Sequence, residues 1–164
     1  MRWLTLCLLL ALSTGCSDFD FKVNERVVYS PRPPFSDFEI ADEALRNCVE
    51  QAIADNTITA AAQLQQLNCS SAGIETLDGL GAFTGITRLN LSSNRIRNLA
   101  ELSALSTLQL LELGDNDIVD PVPLFALPAL QELNLAGNSG LQCPSTTAFA
   151  TVDTVRLPAH CQTR

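Results

Sequence analysis

A period of 22 residues constrains this chain more than any other feature of its sequence. Leu64, Ile86, Leu108 and Leu130 stand 22 apart, and three places beyond them come Leu67, Leu89, Leu111 and Leu133. Two places further lie Cys69, Leu91, Leu113 and Leu135. With the first of these counted as place one, the ninth place holds Ala72, Asn94, Asn116 and Asn138, and the eleventh Ile74, Ile96 and Ile118. The seventeenth is Leu80, Leu102 and Leu124, and the twentieth Phe83, Leu105 and Leu127. One more period lands on Val152, with Val155 and Leu157 at its fourth and sixth places. Self-similarity of this length marks stacked supersecondary units, each too small to bury its apolar side alone.

Around the fourth and sixth places the residues alternate inward and outward, so each turn contributes a short parallel strand with a buried seam. An Asn at the ninth place can be buried where the chain leaves the strand, pairing backbone groups with both its carbonyl and its amide. Ala72 breaks that ladder in the first repeat. Pro121, Pro123 and Pro128 suit an irregular outer side of extended and 3₁₀ segments, because the period leaves too few residues for a long helix there.

The pattern L-x-x-L-x-L-x-x-N-x-I resembles that of leucine-rich repeats, and its 22-residue period is similar to the internalin-like class of bacterial proteins. The resemblance implies an α/β solenoid. Its expected form is a right-handed leucine-rich repeat superhelix with a parallel concave β-sheet, an N-terminal helical cap and disulfide-closed ends. The repeats then occupy 64–151 (64–85, 86–107, 108–129 and 130–151), and 152–164 supply the last strand and the C-terminal cap.

Ahead of the repeats, residues 39–63 read as the helical N-cap. Leu45, Cys48, Val49, Ala52 and Ile53 keep to one helical face, Asp42 is suited to cap the first turn, and Asn56-Thr57 mark the end. A second short helical turn is expected from Thr59 through Ala62.

The first fifteen residues read as a signal peptide: one positive charge at Arg2, the apolar run Leu4–Leu12, then Ser13-Thr14-Gly15. The run is too short to cross a bilayer, which takes about 20 residues. With Cys16 following, the segment resembles the lipobox of bacterial lipoproteins, although Ser13 stands where Leu is commonest. That resemblance implies lipidation (palmitate) at Cys16 and a lipid-anchored place in the bacterial cell envelope. Ser17, where Asp would retain the protein in the inner membrane, favours the outer membrane. An ordinary secretory signal is the plainer alternative. Residues 16–38 then form the lipidated tether. They carry Phe19, Phe21, Tyr29, Phe35 and Phe38, far more aromatic mass than a plain linker needs. Alternation through Phe21 and Val23, then Val27-Val28-Tyr29, predicts a small hairpin. The aromatics either dock on the domain or meet a partner.

Six cysteines divide three ways on this reading. Cys7 leaves with the signal and Cys16 takes the lipid. Cys48, Cys69, Cys143 and Cys161 allow three pairings, of which only Cys48–Cys69 with Cys143–Cys161 joins each cap to its own end of the stack. An exported chain makes disulfides the expectation. No metal or other cofactor is expected, since C-x-x-C is absent and His160 is the sole histidine.

The outward strand places form the candidate concave binding face: Gln66, Asn68, Arg88, Asn90, Leu110, Glu112, Glu132, Asn134 and Arg156, with Ser70, Ser92, Gly114, Ala136 and Thr154 beside them. The face is polar and lacks Tyr and Trp, so a protein partner there is met through hydrogen bonds rather than aromatic anchors. The runs Asn68-Cys69-Ser70 and Asn90-Leu91-Ser92 match the glycosylation sequon, but repeat geometry accounts for both. Asp115, Asp117 and Asp120 lack the glycine and distal Glu of a calcium loop and read as a polar turn. Ten Lys+Arg against eighteen Asp+Glu argue against nucleic acid, whose phosphates demand basic side chains. No nucleophile–base constellation points to catalysis. The function expected is a membrane-anchored module for protein–protein interaction at the envelope. The alternative is a structural envelope component that docks through its aromatic N-terminal segment.

Overall fold

The computed structural model describes residues 21–23, 26–29, 34–145 and 147–162, with only the backbone of 21–29. The signal peptide, Cys16 and Phe19 lie outside the described residues. The chain divides into two units, 1–33 and 34–164. In the first, β1 (Phe21–Val23) pairs antiparallel with β2 (Arg26–Tyr29), with a bulge between Phe21 and Lys22.

The second unit begins with an extended strap. Phe35 N–H donates to the Ile58 carbonyl at 2.8 Å, and the Phe35 and Phe38 rings pack edge-on against Phe83 at 6.1 and 5.3 Å. Docking is therefore the role of these two aromatics. Helix α1 (Glu43–Asp55) follows, buried through Leu45, Val49 and Ile53. These fall four apart, so a single stripe faces the core. Asp42 caps it, Oδ1 accepting from the Leu45 N–H at 3.0 Å. A 3₁₀ turn at Ala61–Gln63 leads into the repeats, its last residue just past the Ala62 expected.

Five strands then stack in parallel: β3 (Gln66–Asn68), β4 (Arg88–Asn90), β5 (Leu110–Glu112), β6 (Glu132–Asn134) and β7 (Thr154–Arg156). The register is strict: Leu67 aligns with Leu89, Leu111, Leu133 and Val155. One residue of each strand faces in and its neighbours face out, as a two-residue period requires. Three 3₁₀ segments (Leu80–Ala82, Ala100–Ala104 and Val122–Ala126) line the opposite side. The core runs unbroken from Ile40 to Leu141 and includes Leu77 and Leu99 at the fourteenth place, which joins the inward places named above.

The ladder asparagines link consecutive turns. Asn116 Oδ1 accepts from the Ile96 N–H of the turn before it at 3.0 Å. Its Nδ2 donates to the carbonyls of Leu91 in that turn and Leu113 in its own, at 3.0 and 3.1 Å. Asn94 bonds in the same way to Ile74, Cys69 and Leu91, and Asn138 to Ile118, Leu113 and Leu135. Immediately before each ninth place the backbone turns left-handed, at Ser71 (φ 57°), Ser93 (60°), Asp115 (56°) and Gly137 (81°). That turn directs the Asn side chain inward while the chain heads outward. Only Gly137 adopts it without steric cost.

The fourth turn departs from the period by one residue. Gly140 occupies the eleventh place, and Leu141, 3 % exposed, fills the core there instead. Disulfides Cys48–Cys69 and Cys143–Cys161 join α1 to the residue directly after β3 and the fourth turn to α2 (Ala159–Gln162).

Candidate binding face

The strands carry the outward residues in two rows. Gln66, Arg88, Leu110, Glu132 and Thr154 form one, and Asn68, Asn90, Glu112, Asn134 and Arg156 the other. Neighbours in a row sit about 4.8 Å apart, the spacing of hydrogen-bonded strands. Gln66, Asn68, Arg88, Glu132 and Arg156 are exposed, while Asn90, Leu110, Glu112 and Asn134 are half-buried. The structure thus brings every residue of the candidate face onto one surface.

Several of them also hold the strands' ends. Asn90 Oδ1 accepts from the Ser92 N–H at 3.0 Å, and Asn134 Oδ1 from the Ala136 N–H at 3.0 Å. Asn68 makes the same turn with the Ser70 N–H at 3.3 Å. These side-chain turns release the backbone from the ladder where it must leave the sheet. Asn134 Nδ2 donates to Glu112 Oε2 at 2.7 Å, which fixes the carboxylate on the face. Gly114 is buried beside it, and a side chain there would crowd the Asn134 amide.

The charges follow an order across four strands: Arg88 on β4, Glu112 on β5, Glu132 on β6 and Arg156 on β7. Two acidic rungs are flanked by two basic ones. Among the described residues the single ion pair is Arg95–Glu75 at 3.4 Å, between exposed side chains away from this face. Among the described residues, none of the four charges of the face has an ion-pair partner. In the 115–120 turn, Asp120 Oδ1 accepts from the Val122 N–H at 2.9 Å, which gives that carboxylate a local structural task.

Two features escaped the sequence reading. Asp42 uses both oxygens: besides capping α1, its Oδ2 accepts from the N–H groups of Glu75 and Thr76 at 2.8 and 3.1 Å. Partial burial opposes ionisation of this carboxyl. The N–H donors of Glu75, Leu45, Thr76 and Ala44 outweigh that effect and hold its pKa below the ordinary value of 3.8. His160 stands 22 residues after Asn138, in the ninth place of the fifth turn. Like the asparagines it reaches back one turn, its Nε2 lying 2.9 Å from the Leu141 carbonyl. The count of 22 could have found it, since the period is carried past the last strand simply by adding once more.

Comparison with known proteins agrees with this geometry. The family model described as the Endo-beta-N-acetylglucosaminidase EndoS LRR domain matches residues 40–158. No curated protein matches the sequence. Among solved structures, an internalin (inlF) of Listeria monocytogenes is similar at 22 % identity and a TM-score of 0.63, over 73 % of this chain and 37 % of that one. An internalin C2 (inlC2) of the same organism is 29 % identical over 51 % of this chain and 37 % of that one, with a TM-score of 0.47. The chain thus spans little more than a third of the length of either.

Proposed function

The chain belongs to the leucine-rich repeat family of the EndoS LRR domain, and from that premise we propose that it is a protein-binding module tethered at the bacterial cell envelope. The observation that carries the proposal is the five-stranded face, whose four charges, Arg88, Glu112, Glu132 and Arg156, lie in fixed register and free of one another. A partner that supplies opposite charges in the matching order gains specificity and association rate from them. His160, the sole histidine of the sequence, is engaged at the cap carbonyl of Leu141, away from the face. Internalin-like repeat length supports the same assignment, since such stacks leave one broad sheet face for contact.

The tether is the second part of the proposal. Cleavage before Cys16 and acylation of its thiol would hold the module on a membrane, with Ser17 favouring the outer one. Several acyl chains, each CH₂ contributing about 0.8 kcal/mol, make such an anchor permanent. Crosslinking in intact cells followed by mass spectrometry tests the binding face. The crosslinked partner is expected to be lost from Glu112→Lys/Glu132→Lys protein and kept by a Ser103→Ala control. Retention by the double variant sinks the sheet-face assignment. Labelling with a palmitate analogue that persists in Cys16→Ser protein would refute the anchor.

A second reading rests on the separate hairpin of β1 and β2, which belongs to another unit than the solenoid. Its aromatic residues Phe21 and Tyr29 offer an independent docking segment in a structural envelope complex. Loss of the partner on Phe19→Ser/Phe21→Ser/Tyr29→Ser, with the glutamate variant unaffected, selects this reading.

A further inference from the structure

The C-terminal clasp holds three metal-ligating side chains together. One ligand atom each from Cys143, His160 and Cys161 lies within 4.8 Å of the others. The two sulfurs are joined as a disulfide, which has no thiolate to offer a metal. A disulfide itself needs no imidazole, and the one here also reaches the Leu141 carbonyl. The Cys48–Cys69 disulfide closes the N-terminal cap with no histidine in such a cluster.

The orientation of His160 supplies an independent observation. A backbone carbonyl can only accept, so Nε2, 2.9 Å from Leu141 O, carries the ring proton. In the neutral ring the lone pair is then on Nδ1. A histidine whose one nitrogen donates to a backbone carbonyl while the other keeps its lone pair is in the state required of a zinc ligand, with tautomer and ring orientation already set.

We propose that reduction converts the Cys143–Cys161 clasp into a zinc site with Cys143, His160 and Cys161 as ligands. A dithiol reductant passes two electrons and two protons to the disulfide, whose S–S bond breaks into two thiols as the reductant closes its own disulfide. Zn²⁺ then takes the place of both thiol protons, which leave to solvent. Two Zn–S bonds of about 2.3 Å and one Zn–N bond of about 2.0 Å form, with water in the fourth position. Ligand atoms around such an ion sit roughly 3.3–3.8 Å from one another. The three side chains already offer ligand atoms within 4.8 Å of one another, so the proposed site needs their rearrangement within the clasp and no segment brought in from elsewhere. The site opens only when the clasp is reduced, so metal and disulfide are alternative closures of the same cap.

The test uses the full chain reduced with a phosphine, which binds zinc poorly, and Zn²⁺ itself competed against a chromophoric chelator. Co²⁺ substitution reads the ligand set through its thiolate charge-transfer and tetrahedral d–d bands. Reduced wild-type protein is expected to take up one equivalent, and the oxidised protein none. His160→Ala is expected to weaken binding by more than the roughly 10–100-fold that loss of an outer-shell partner brings. Cys143→Ser removes the site although Cys48 and Cys69 remain. Far-UV circular dichroism taken alongside reports whether the reduced chain stays folded. Absence of binding, equal binding by His160→Ala or Cys143→Ser, or binding accompanied by an unfolded spectrum would each overturn the proposal.

Discussion

The asparagine ladder makes an unequal prediction about residues that look equivalent. Asn116→Ala removes the acceptor of the buried Ile96 N–H, which is left unpaired. The carbonyls of Leu91 and Leu113 lose one donor each, yet both keep another: Asn94 serves Leu91 at 2.8 Å, and Asn138 serves Leu113 at 2.9 Å. One buried group is therefore orphaned, at about 1–3 kcal/mol. Asn138→Ala orphans two, the Ile118 N–H and the Leu135 carbonyl, because no later asparagine covers Leu135. Asn94→Ala likewise orphans the buried Ile74 N–H and Cys69 carbonyl, and also takes the acceptor from the more exposed N–H groups of Ala72 and Gly73. Each outer rung is expected to cost about 2–6 kcal/mol, and the middle rung roughly half as much. Urea unfolding of the three variants with disulfides intact measures the order, and amide exchange at Ile96 reads the orphaned group directly. An Asn116→Ala cost equal to or above that of both neighbours would refute the shared-acceptor reasoning.

Three other perturbations follow from the structure. At the left-handed turns, Ser93→Gly relieves a strain of about 1–2 kcal/mol against roughly 0.5–1 kcal/mol of extra chain entropy, so a small gain in unfolding free energy is expected; Gly137→Ala must lose stability, its new Cβ meeting Asp115 Oδ1. Gly85→Ala drives a methyl into the Ala62 carbonyl oxygen where the 3₁₀ turn Ala61–Gln63 meets the end of the first repeat, and thermal unfolding should register a loss of about 1–3 kcal/mol. Asp42, with its pKa lowered below 3.8, contributes stability that is complete above that value and disappears as pH falls through the lower folded value; acid titrations of unfolding free energy below pH 4 should therefore be flatter in Asp42→Asn than in wild type.

Much of the fold could be read from the chain because a repeat tests itself: each inward apolar residue is matched by two or three others at the same place. Strand positions follow from that redundancy, whereas the cap helix was legible from its own apolar face, with Leu45, Val49 and Ile53 buried. What stayed hidden has specific causes. The left-handed eighth place is filled by Ser71, Ser93, Asp115 and Gly137, and one glycine in four does not announce a backbone rule. Leu141 lies off the period by a single residue, which a fixed count of 22 cannot follow. The second oxygen of Asp42 meets amides 33 and 34 residues away, beyond any local pattern. Phe35 and Phe38 were ambiguous between core and partner because aromatic mass carries no direction until Phe83 is seen beneath it. On the sheet face, Asn68, Asn90 and Asn134 looked like contact residues, yet each commits its carbonyl to ending a strand. On the proposed reading, contact at this face then falls to Gln66, Leu110 and the four charges.

The backward reach of the ladder also dictates an order of assembly. Its bonds between consecutive turns close loops of 20 to 25 residues, short enough that each costs nearly the same entropy as the last. A turn cannot finish itself, however; its eleventh-place amide waits for the asparagine of its successor. Folding from the N-terminal cap therefore proceeds as a zipper in which the growing tip is always one turn behind the chain. A chain synthesised from its N-terminus supplies those successors in the right sequence. His160 brings the last of these returning contacts, so the C-terminal clasp doubles as the stop that tells the zipper it has reached its end.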